Sequence, residues 1–71
     1  SYIEQREFDG MEDRIAEAEA DLDAKRKAAE DPAIMSNGAA LQAAYAALEE
    51  AQRRVDEFYA RWAELEAKLA G

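Results

Sequence analysis

Little in this chain could do chemistry by itself. It has no histidine and no cysteine. A general base would have to be a carboxylate or lysine shifted toward neutral pH by burial. No glycine-rich phosphate loop exists, because the three glycines stand apart at positions 10, 38 and 71. Carboxylates are plentiful, yet none follow the spacing of a calcium-binding loop. Neither catalysis nor a bound cofactor or metal is expected of this chain. What remains is a basic triple, Lys25, Arg26 and Lys27, which Arg53 and Arg54 could extend into a phosphate-contacting surface. Tyr45, Phe58, Tyr59 and Trp62 could stack on bases.

Each of these features also has a purely structural reading. The triple falls near a helix C-terminus, where cations complement the helix dipole. Most basic residues have an acid four positions earlier: Asp21–Lys25, Asp23–Lys27, Glu49–Arg53, Glu50–Arg54, Glu57–Arg61 and Glu64–Lys68. That orientation stabilises a helix by about 0.2–0.5 kcal/mol per pair. Phe58 and Trp62 fall on an apolar stripe, so core packing accounts for them. By pattern alone, helix stabilisation accounts for the basic residues better than a phosphate surface does.

Composition narrows the field further. The net charge is -8 over 71 residues, which disfavours a polyanionic partner and describes a solvated helical surface. Without cysteine there is no disulfide to staple the fold. No apolar run reaches the length of a membrane span and no signal peptide is visible, so no membrane partner is expected. The chain opens on Ser1 rather than methionine, as expected of a piece of a longer protein.

The positioning elements follow from periodicity. Leu41, Ala44, Leu48, Ala51, Val55, Phe58, Trp62, Leu65 and Leu69 alternate in steps of three and four, which keeps one seam facing a partner helix. A second stripe, Met11, Ile15, Ala18, Leu22 and Ala29, has the same period, with Lys25 in the remaining seam position. Lys25 can lay its stem along the seam and keep its ammonium in water. Asp31-Pro32 ends the first stripe, because the residue before proline is pushed out of the helical region. The expected organisation is one domain over 1–71: an opening segment over 1–9, a helix over 11–29, a connection over 30–38 and a helix over 39–69. Gly10 is expected to break the chain, with Asp9 as a possible cap for the first long helix and Ser36 or Asn37 for the second.

A connection this short between heptad helices implies an antiparallel hairpin. Aligned ends pair residues whose numbers add to about 70, setting Leu22 against Leu48, Ile15 against Val55 and Met11 near Phe58 or Tyr59. The fold is therefore read as all-α, an antiparallel two-helix coiled-coil hairpin with a short N-terminal helical segment packed at the open end. Its core is expected from Met11, Ile15, Leu22, Leu48, Val55, Phe58, Trp62 and Leu65. Tyr2, Ile3 and Phe8 are expected to fold back onto Phe58, Trp62 and Leu65, and Ile34 and Met35 to close the other end. The seam could pair within one chain or between two, giving a monomer or a weak homodimer.

Three stretches carry a family resemblance that spans essentially the whole chain. SYIEQREFDGMEDRI at the start, AAEDPAIMS around Asp31-Pro32, and LEEAQRRVDEFYARWAELE with Tyr59, Trp62 and Leu65 together resemble the C-terminal domain of Uup-type ABC-F ATPases. The chain departs from that pattern at Glu12, where the family often has proline, and in being more acidic. The resemblance implies a non-catalytic accessory domain at the end of a cytoplasmic protein with two ATP-binding cassettes. ATP and magnesium would belong to those cassettes, which are the implied partners within the same parent chain. It further implies contact with DNA or the ribosome and its RNA, and support of the parent's ATPase. No family catalytic residue maps onto this chain. The positions that best match the family's basic surface are Lys25, Arg26, Lys27, Arg53 and Arg54. The alternative is a structural coiled-coil spacer or dimerisation module with no nucleic-acid role.

Overall fold

The computed structural model describes all 71 residues. Helix α1 runs from Tyr2 to Ala29, a 3-10 turn covers Pro32–Ile34, and helix α2 runs from Gly38 to Ala70. The helices pack side by side into a hairpin measuring 53 × 15 × 14 Å. Neither helix is long and apolar enough to cross a membrane.

Each helix end is closed by a residue suited to it. The Ser1 hydroxyl accepts the Glu4 N–H at 3.2 Å and caps α1. The Glu30 N–H returns to the Arg26 and Lys27 carbonyls at 3.2 and 3.1 Å, tightening the last turn. Asp31, extended before Pro32, accepts the Ala33 N–H at 3.0 Å. Asn37 rather than Ser36 caps α2, accepting the Ala40 N–H at 3.0 Å. Asp9 caps nothing; it lies inside α1 and accepts a hydrogen bond from Gln5 at 2.9 Å.

The first correction to the sequence reading concerns Gly10. The helix does not break there, and no glycine has positive φ. A glycine inside a helix costs about 1 kcal/mol relative to alanine. The surrounding contacts outweigh that cost. Phe8 is half-buried and Met11 is 1% exposed, and a single unbroken helix sets both against α2. The opening residues are thus helical and lie at the open end, but as the first turns of α1.

A straight helix cannot fold its tip back. Tyr2 and Ile3 therefore stay 75% and 77% exposed, and the expected cluster with Trp62 does not include them. At the other end, Ile34 is half-buried but Met35 is 55% exposed. Adjacent residues of a tight turn point in different directions, so only one of the two turns inward.

Eight residues are buried: Met11, Ile15, Ala18, Leu22 and Ala29 from α1, and Ala51, Val55 and Leu65 from α2. Ala18, Leu22, Ala51 and Val55 form the central cluster, with Leu48 and Phe58 packed against it. Met11 and Leu65, at 1% and 0% exposure, fill the layer toward the open end. Trp62 is half-buried, because a two-helix seam has no third wall to cover an indole. Three of the eight core residues are alanine, so the apolar area buried is small.

Candidate functional site

The five candidate contact residues do not form one patch. Lys25, Arg26 and Lys27 sit in the last turns of α1, while Arg53 and Arg54 sit midway along α2. The antiparallel register sets Lys25 beside Tyr45, so the two groups are offset by roughly 12 Å along the rod at 1.5 Å per residue. Arg26 and Arg53 line one groove with Tyr45 and Leu48, Arg53 and Arg54 line another, and neither groove takes in Lys25 or Lys27. Tyr45 is about half exposed.

Acids of the same helix hold three of the five. The Lys25 ammonium donates to Asp21 at 2.9 Å and Lys27 lies 2.9 Å from Asp23. Arg53 is bracketed by Glu50 and Glu57. The Glu50 hydrogen bond, followed by that of Glu57, raises the Arg53 pKa further above its ordinary value, and Arg53 in turn lowers that of Glu50. This differs from the expected scheme, in which Arg53 takes Glu49 and Arg54 takes Glu50. Arg26 and Arg54 have no carboxylate within 4.0 Å. The Arg54 guanidinium instead lies 5.5 Å from the centre of the Phe58 ring, a cation–π contact that orients the charge without neutralising it.

Sequence reasoning missed the ties between the helices. Spacing along α2 gives Arg61 to Glu57 and Lys68 to Glu64, and of these only the second pair is present. Arg61 instead clasps Glu7 of α1 with two hydrogen bonds of 2.7 and 2.8 Å, and also reaches Glu64 at 2.7 Å. Lys68 reaches Glu4 at 3.1 Å, with Glu64 at 3.6 Å. The Tyr59 hydroxyl donates to Glu19. The register that pairs Leu22 with Leu48 also sets Glu7 beside Arg61 and Glu4 near Lys68, so the signal was present in the spacing. The Arg61 hydrogen bonds hold the Glu7 carboxyl below its ordinary value, and Lys68 does the same to Glu4. The Tyr59 phenol is pushed up, chiefly because it donates to Glu19.

A second groove crosses the seam above Met11 and Phe58. Arginines 14, 53, 54 and 61 line it with glutamates 7, 50 and 57, four cations against three anions. Arg14 escaped the sequence reading because it belongs to no basic run. Its signal is positional: it immediately precedes buried Ile15, as Arg54 immediately precedes buried Val55.

No curated protein and no solved structure matches the chain. The family described as the ABC transporter C-terminal domain matches residues 1–67, which takes in α1, the connection and nearly all of α2. With the match covering 1–67 of the 71 residues, the chain belongs to the ABC transporter C-terminal domain family.

Proposed function

We propose that this hairpin is the non-catalytic accessory arm of a cytoplasmic, Uup-type ABC-F ATP-binding protein, and that it contacts a nucleic-acid backbone, of DNA or ribosomal RNA, while supporting the parent's ATPase. Membership of the C-terminal domain family across residues 1–67 carries the accessory role. The parent's cassettes, with their ATP and magnesium, are the partners within the same chain. Arg26 and Arg54, charged and without a carboxylate within 4.0 Å, support the nucleic-acid contact. Lys25, Lys27 and Arg53 can join it only by exchanging their own acids for phosphate.

That same pairing favours a second reading, a spacer or dimerisation arm. Lys25, Lys27 and Arg53 are already spent on Asp21, Asp23, Glu50 and Glu57, and the net charge of -8 repels a polyanion at long range. A titration of labelled duplex DNA, and separately of ribosomes, with the 71-residue chain at low and moderate salt separates the two readings. Light scattering on the same sample gives its mass. Binding that weakens steeply with salt supports the contact reading. A folded monomer that binds neither supports the spacer, and a folded dimer that binds neither supports the dimerisation arm.

A further inference from the structure

Acids outnumber bases 17 to 9 in this chain, yet Arg14 and Arg54 are left without a carboxylate within 4.0 Å. The two come from different helices and line the same groove. The acids of that groove are hydrogen-bonded to other arginines, Glu7 to Arg61, and Glu50 and Glu57 to Arg53, although the Arg14 charge also helps to lower the Glu7 pKa. With four arginines against three glutamates, the groove carries one positive charge more than its own acids balance, which favours a further anion there.

Both guanidiniums are oriented. The Phe58 ring supports Arg54 from below, 5.5 Å from its centre. Arg14 leans back along α1 over Gly10, its Nε 4.0 Å from where a β-carbon would sit. The flat glycine surface leaves the guanidinium low over the helix. Two guanidinium forks presented from two sides suit a tetrahedral oxyanion, since arginine binds phosphate bidentately where lysine acts as a point charge.

We infer that Arg14 and Arg54 form a clamp across the helix seam for one phosphate group, and that this groove, rather than the Lys25–Lys27 tip, is where the hairpin grips a nucleic-acid backbone. The identity of the phosphate's carrier rests on the function proposed above; the clamp itself rests on two arginines of one groove that have no carboxylate within 4.0 Å. Arg53 and Arg61 stay with their glutamates and form the walls.

The test uses the 71-residue chain, labelled duplex DNA, structured RNA and inorganic phosphate. Arg14→Gln/Arg54→Gln is expected to remain folded, because both side chains are exposed and neither holds a carboxylate within 4.0 Å. It is expected to lose tenfold or more in affinity, with a salt slope shallower by about one, as for one lost phosphate contact. Arg14→Lys/Arg54→Lys keeps the charge but not the forks, and is expected to recover only part of the affinity. Lys25→Gln/Lys27→Gln is expected to bind nearly as wild type. Inorganic phosphate is expected to shift the NMR signals of the Arg14 and Arg54 side chains and no other arginine. If the Gln double variant binds nucleic acid as wild type does while the tip variant fails, the clamp is overturned and the proposed function stands. If phosphate shifts both arginines but neither nucleic acid binds, the clamp takes free phosphate and the nucleic-acid contact is overturned. If phosphate moves neither arginine and the Gln variant is unaffected, the clamp is overturned.

Discussion

Gly10 shows how a single residue is overruled by its neighbours. It lies within α1 at helical geometry, and a β-carbon placed there would meet only the Arg14 Nε at 4.0 Å, an ordinary contact. Gly10→Ala should therefore stabilise the hairpin by about 0.5–1 kcal/mol, from the lower backbone entropy of the unfolded chain. A thermal melt should show a midpoint a few degrees higher; a lower midpoint would mean that α1 needs the glycine for a bend. The charged residues at the open end make a prediction with a definite sign. Arg61 lowers the folded pKa of Glu7, chiefly through its hydrogen bonds. The pair's contribution is fully present above the ordinary carboxylate value and is lost as pH falls through the lowered folded value. Arg61→Gln should melt below wild type at neutral pH, and the gap should close as the solution is acidified. Because both partners are partly open to water, added salt should narrow the gap as well. A gap independent of pH would show that Arg61 acts through its packed stem rather than its charge.

At the scale of the helices, alternating apolar spacing dictated two heptad stripes and Asp31-Pro32 dictated where the first one stops. Those signals are local and strong, so the hairpin was legible in the sequence. The run of α1 through Gly10 was not, because it depends on what Phe8, Glu7 and Glu4 find on the other helix. The same holds for Arg61, whose own helix offers Glu57 and Glu64 while α1 offers Glu7. Arg14 lay hidden because its neighbours are ordinary. The thin core concentrates its stability in few side chains. Leu65 is 0% exposed and Met11 1%, so Leu65→Ala should cost about 2–5 kcal/mol. A small single core rarely supplies more than about 3–5 kcal/mol in total, so this variant should be largely unfolded at room temperature by circular dichroism. Trp62, half-buried, should be less costly to truncate than Leu65; the reverse order would mean that the indole is covered by something the hairpin lacks. Removing residues 1–8 deletes Phe8 and the Glu4–Lys68 and Glu7–Arg61 ties. The melting temperature should fall. An unchanged melt would show that the first turns of α1 are not fastened to α2.

The whole molecule is a rod of 53 × 15 × 14 Å with small layers of apolar contact inside and no charged residue buried. Such a shape spreads its side chains along an open surface. Its overall negative charge opposes a polyanion, and its grooves hold a few arginines that could still receive one, so any grip would be short-ranged and specific in position. If the hairpin couples a nucleic-acid contact to an ATPase, as proposed, ATP hydrolysis by the parent protein depends on it. The decisive measurement is that hydrolysis with and without this domain, each in the presence and absence of duplex DNA and of ribosomes. Deletion should lower the rate and remove its response to one of the two additions. An unchanged rate with an unchanged response to both would contradict the proposal.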